Sequence, residues 1–121
     1  MANRVVTLLA SAARTATNSS AAINNPRGRA IRFHVDCTAR AGSASTVFTF
    51  EGYDPVGADW YTLLASAAVT TAAKTTYLVG LGNTVTANVS ANVPAPVVFR
   101  VTATHGTADA HTYSVSAEIL E

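Results

Sequence analysis

What most constrains this chain is a two-residue alternation of apolar and polar side chains that recurs between short turn-forming clusters. From Ile31 to Cys37, Phe33, Val35 and Cys37 share one face, and Arg32, His34 and Asp36 the other. Phe48 and Phe50 alternate with Thr49 and Glu51, and Val97, Phe99, Val101 and Ala103 with Val98, Arg100, Thr102 and Thr104. Tyr113, Val115, Ala117 and Ile119 alternate with Thr112, Ser114, Ser116 and Glu118. Period two belongs to a strand with one face buried. Trp60–Ala65, Thr75–Leu81 and Thr84–Val89 are weaker candidates. The segments Ala41–Ser45, Asp54–Asp59, Gly80–Asn83, Asn92–Pro96 and His105–Asp109 bring the Gly, Pro, Asn and Asp that turn a chain. Pro94 and Pro96 donate no ladder hydrogen bond, which keeps their stretch out of a central strand. No segment has the periodicity of an amphipathic helix. Ala65–Lys74 is the one place for a helical turn, and the β-branched Val69, Thr70 and Thr71 oppose it. The expectation is an all-β protein, an antiparallel β-sandwich of jelly-roll or Ig-like type with about seven to eight strands.

Residues 10–26 carry small polar side chains with no clear period and read as an extended arm or loop. The apolar stretch Val5–Leu9 before them suits a strand that pairs either with the body or with another subunit. The chain is therefore divided into an N-terminal arm and first strand, residues 1–26, and a sandwich body, residues 27–121. Met1–Ala13 loosely mimics a signal peptide, but Thr7 and Ser11 interrupt a run that is already short for one, and the reading here is against secretion. The Asn18 and Asn88 sequons are those a Ser/Thr-rich chain produces by chance.

Composition bears on function. Ala, Thr, Val and Ser number 24, 17, 14 and 9 of 121 residues, a mixture that suits a flat sheet surface better than a catalytic cleft. Hydrophobic residues make up 49% and charged residues 12%, which excludes a disordered tail. No apolar run approaches the ~20 residues of a spanning helix, so no membrane partner is expected. A net charge of +1 gives no general affinity for nucleic acid. The charge is unevenly placed: residues 1–40 hold six arginines against Asp36, and residues 41–121 hold Lys74 and Arg100 against six carboxylates.

The inventory for chemistry is thin. His34 and Cys37, three apart on a strand, point to opposite faces and cannot share a metal. Cys37, the single cysteine, reads as a small buried hydrophobe. His105 and His111 flank one loop and read as turn-flanking polar residues. Glu51, Asp54 and Asp59 surround one hairpin, where Asp54-Pro55-Val56-Gly57 is ordinary turn chemistry. Gly80-Leu81-Gly82 lacks the lysine and third glycine of a phosphate cradle. No enzymatic activity, cofactor, metal or small-molecule substrate is expected. Tyr53, Trp60 and Tyr61 form a candidate aromatic cluster, which more often closes a sandwich core than stacks on sugar.

The positive signal is Asn24-Asn25-Pro26-Arg27-Gly28-Arg29-Ala30-Ile31-Arg32-Phe33, a bend ringed by arginine. Arginine binds carboxylates in bidentate fashion and is enriched at protein interfaces. Arg4, Arg14, Arg27, Arg29 and Arg32 are the candidate interface residues.

The run Arg27–Asp36, the stretch Phe48-Thr49-Phe50-Glu51-Gly52-Tyr53-Asp54-Pro55 continuing to Ser66, and the closing segments Phe99–Gly106 and His111–Ile119 resemble the small virion proteins of tailed bacteriophages and prophages. The resemblance spans roughly residues 15–121. It implies a capsid decoration, or cement, protein: a sandwich body on the outer head lattice, a homotrimer with the major capsid protein and its own copies as partners. On that reading the arm lies along a neighbouring protein, and deleting residues 1–20 abolishes assembly while the body stays folded. A phage tail or adhesin module and a small carbohydrate-binding β-sandwich are the alternatives.

Overall fold

The computed structural model describes residues 3–121; Met1 and Ala2, the tip of the expected arm, lie outside them. No helix occurs among the described residues. Seven strands of seven residues or more, β1 (Arg4–Arg14), β4 (Ala30–Arg40), β5 (Thr46–Asp54), β6 (Asp59–Ala65), β7 (Lys74–Gly80), β9 (Val98–His105) and β10 (His111–Leu120), are joined by three two-residue pieces, β2 (Asn18–Ser19), β3 (Ile23–Asn24) and β8 (Ser90–Ala91). They form two sheets, one in the order β1-β10-β4-β7-β8, the other β2-β9-β5-β6 with β3 also on β9.

The pairing is nested. β5 pairs with β6, β4 with β7, β9 with β2 and β3, and β1 with β10, all antiparallel. Pairs β10–β4 and β5–β9 then join these hairpins side to side. β8 is the exception to antiparallel order, lying parallel to β7.

The alternation of the sequence becomes the core. In β10 every second residue, from His111 through Tyr113, Val115 and Ala117 to Ile119, is buried. β4 buries Ile31, Phe33, Val35 and Cys37, β5 buries Phe48 and Phe50, and β9 buries Phe99, Val101 and Ala103. Phe33 of the first sheet stacks on Phe50 of the second, ring centroids 4.1 Å apart, and meets Phe99 edge-on at 5.8 Å. Tyr113 meets Phe48 edge-on at 5.0 Å. These contacts cross from one sheet to the other, an arrangement compatible with a β-sandwich. Edge-on and offset rings are the geometries aromatic quadrupoles favour.

Two expectations need correction. The segment expected to extend away as an arm pairs instead with the chain's own sheets, β1 along β10 and β2 and β3 along β9. Backbone ladders carry this pairing, so it needs no periodic side chains; two register shifts in β1 bring Leu8 and Leu9, adjacent in sequence, both into the core. Thr84–Val89 is not a strand but a turn-rich loop, closed by Ser90 Oγ donating to Thr84 O at 2.6 Å and accepting from Thr86 N at 3.0 Å. Ala65–Lys74, where β-branched residues opposed a helical turn, takes none, and Val69 forms an isolated bridge with Thr46.

Candidate interaction surface

The end of the sandwich where β4 begins and β7 ends gathers the unusual chemistry of this chain. Asn25, 2% exposed, organises it. Its Oδ1 accepts from Gly28 N at 2.9 Å and its Nδ2 donates to Pro96 O at 3.1 Å, tying the 27–29 bend to the 94–97 segment. Gly28 is required by close approach: a Cβ there would run into the Asn25 amide and a methyl of Ile119. Arg27 and Arg29, on either side, are left exposed. Arg29 N donates to Leu120 O at 2.8 Å, which fixes the bend at the end of β10. Replacing Asn25 with Ala strips partners from a buried N–H and a buried carbonyl; unfolding in urea should show a loss of about 1–3 kcal/mol. A wild-type midpoint would mean that the bend is not held in this way.

Beside the bend runs a stretch with no charged residue from Thr75 through Phe99. Its loop exposes Leu81 (71%), Val85 (67%) and Val97 (62%) to solvent. Side-chain amides hold the loop in place, Asn92 Oδ1 accepting from Gly82 N at 2.9 Å and Asn83 Nδ2 donating to Ala91 O at 3.2 Å. Ala91, Val93 and Ala95 pack against the core while Leu81, Val85 and Val97 face outward. Gly28, Arg29, Ala30, Leu81, Pro94 and Ala95 line a recess of about 370 Å³ between bend and loop. Contiguous exposed apolar surface rimmed by charge marks an interaction site.

The five candidate arginines do not form one patch. Arg4 is at this same end, its register partner being Ile119, and donates through Nη2 to Asn24 O at 3.0 Å. Arg29 lines the recess, and Arg27, also exposed, precedes it in the same bend. Arg32 is on the outer face of the first sheet, paired with Glu118 at 3.2 Å. Arg14 is at the opposite end, donating to Tyr113 O at 2.8 Å and Ala10 O at 2.6 Å, with its guanidinium 4.8 Å from the Tyr113 ring centroid. Arg14 thus caps carbonyls of an exposed edge strand, one way to blunt such an edge.

The aromatic cluster is also divided. Tyr53 and Trp60 are a cross-strand pair on the outer face of the second sheet, centroids 4.9 Å apart. Arg100 lies 4.2 Å over the Trp60 ring and donates to Glu51 Oε1 at 3.0 Å. Thr102 Oγ1 donates to the same oxygen and receives the Ser19 hydroxyl at 2.8 Å. Tyr61 goes the other way, its ring crossing the inner side of Gly52, where a Cβ would come within 2.6 Å of it. The three aromatics border a recess of about 540 Å³ at the β5–β6 hairpin but make no single flat platform. Glu51 is thus held within the sheet's outer face, while Asp54 and Asp59 sit at the hairpin tip.

His34 is exposed beside Thr76, and Cys37 is buried on the opposite face of β4, where burial and the Asp36 charge push its thiol up to about 11. His111 flanks the turn as expected, at the start of β10, and is fully buried there, its Nδ1 sharing a hydrogen with Thr46 Oγ1 at 2.9 Å. His105 Nε2 shares a hydrogen with the Tyr113 hydroxyl at 2.7 Å, and that hydroxyl accepts from Asn18 Nδ2 at 2.9 Å. Burial above all holds both histidines below the usual imidazole range; His111 adds its charge against His105, and Arg40 against His111. These residues fasten β2 and the 105–111 turn to β10. Among the described residues no three His, Cys, Asp or Glu side chains converge to hold a metal.

No family model, curated protein or solved structure matches this chain. The surface itself therefore carries the functional reading. Sequence reasoning placed Arg27 and Arg29 there but passed over the 81–97 loop, whose signal was its unbroken lack of charge.

Proposed function

We propose that this chain is a structural protein of a tailed-phage virion, a decoration protein that binds the outer surface of the head and bridges neighbouring subunits. Its partners on this reading are the major capsid protein and further copies of itself, as a homotrimer. The observation that carries it is the uncharged loop exposing Leu81 and Val97 at the end of the sandwich that also holds Arg4, Arg27 and Arg29. Buried apolar anchors and arginine are what protein interfaces enrich. A small module that bridges many equivalent sites stabilises a shell through copy number, since each further contact forms at high effective concentration.

The nested pairing supports the finer reading of the fold. With β2 and β3 counted as one interrupted strand, the chain is a single long hairpin rolled into two sheets, which is the jelly roll. That architecture is used by viral capsid domains and by lectins. The lectin alternative is the weaker one, because Arg100 covers the Trp60 ring and Tyr61 turns away from it.

Immunogold labelling of purified virions, from the phage or prophage whose genome carries this chain, tests the proposal. Dense label over the head is expected. Gold confined to the tail would replace head decoration with a tail role, and unlabelled particles would end the virion reading altogether.

A further inference from the structure

We infer that the β5–β6 hairpin tip of one copy docks into the recess between the 27–29 bend and the 81–97 loop of another copy. The tip, Asp54-Pro55-Val56-Gly57-Ala58-Asp59, is exposed throughout, and Val56 is 95% exposed. It presents Val56, its largest and most exposed apolar side chain, between two carboxylates. Among the described residues neither carboxylate has an ion pair; Asp54 Oδ1 accepts from Val56 N at 3.0 Å and Asp59 Oδ1 from Trp60 N at 2.8 Å. Those bonds hold the tip in one shape before it meets anything, which lowers the ordering cost of binding.

The recess is the converse. Its floor is apolar, from Ala30, Leu81, Pro94 and Ala95, and its rim carries Arg29 with Arg27 beside it. Neither arginine is ion-paired among the described residues. At about 370 Å³ it has room for the Val56 side chain. Two aspartates flanking an exposed valine thus match an apolar hollow lined by Arg29, with the exposed Arg27 two residues before it. Both halves of the pair are in this chain, so a second copy carries the complementary surface. A net charge of +1 leaves little general repulsion between copies.

A tip in a recess buries far less than the ~1,000 Å² of a stable standalone interface, so one contact is weak and depends on concentration. Reciprocal or ring-closing geometry, in which every copy uses both its tip and its recess, multiplies it. The contact involves no capsid, so it stands or falls separately from the virion proposal.

Sedimentation velocity of the full chain over a concentration series up to about 0.5 mM, where weak interfaces populate, tests the inference. Association is expected and should weaken several-fold as salt is raised from about 0.05 to 0.5 M, because the charges remain partly solvated. Val56→Lys and Asp59→Arg each bring a cation against the arginines and should weaken association by about tenfold or more. Val56→Lys changes a side chain that makes almost no contact, so folding is not at issue. The quadruple variant R27D/R29D/D54R/D59R exchanges the signs of the two halves and should associate again. A wild-type chain that stays monomeric across the series, or association that V56K leaves untouched, would overturn the inference.

Discussion

Deletion of residues 1–20 is expected to unfold the protein rather than release a folded body. β1 pairs with β10 from Arg4↔Ile119 to Arg14↔His111, and β10 is the strand whose every second side chain is buried. Removing β1 takes Leu8 and Leu9 out of the core, and each buried leucine contributes about 1.5–3 kcal/mol. It also frees one whole edge of β10, and the same deletion removes β2 with its Asn18–Tyr113 link. The combined loss, on the order of 5 kcal/mol or more, is comparable with the stability of a typical domain. The truncated chain should show no cooperative thermal transition by circular dichroism and should aggregate through the open edge. A truncated protein that melts cooperatively near the wild-type temperature would show instead that residues 1–20 are an appendage.

Phe33→Ala should have the largest effect of any single substitution considered. Phe33 is fully buried and joins the two sheets through Phe50 and Phe99. Truncation loses the ring's transfer energy and leaves a void that a two-sheet core fills poorly, costing about 3–5 kcal/mol. In urea the midpoint should fall by about 1 M or more with the slope unchanged. Val56→Ala, on the exposed tip, is the control and should stay within about 0.5 kcal/mol of wild type. A loss below about 1 kcal/mol for Phe33→Ala would mean that the sheets do not pack across that ring.

How much was legible from residues alone varied with the force that placed each element. β4, β5, β9 and β10 were readable because burial of one sheet face writes period two into the side chains. β6 and β7 were fainter: β6 lies at an edge of its sheet, and β7 sits next to the short β8. Val5–Leu9 of β1 was readable as a strand whose partner stayed open, while the rest of β1, β2 and β3 were misread as an arm, since small polar residues leave no pattern and the pairing rests on backbone groups that every sequence possesses. The place of His111 beside the turn was legible but its burial was not, because that depends on Thr46 arriving from elsewhere in the chain.

The candidate surface divides in the same way. The arginine-ringed bend stood out because Pro26, Gly28 and three arginines fall within seven residues. The loop that completes the surface lies more than fifty residues further along, joined to the bend through Asn25.

The amino-acid sequence alone determined that this is an all-β chain, which face of β4 and β5 and of most of β9 and β10 meets the core, and that arginine concentrates near the first body strand, because local alternation and composition express those properties directly. Only the tertiary structure decided that the N-terminal segment belongs to the chain's own sheets, that Arg4, Arg27 and Arg29 share one end while Arg14 and Arg32 are held elsewhere, and that an uncharged loop lies beside the bend. Those outcomes follow from strand register and nesting, set by long-range backbone pairing that leaves no mark on neighbouring residues.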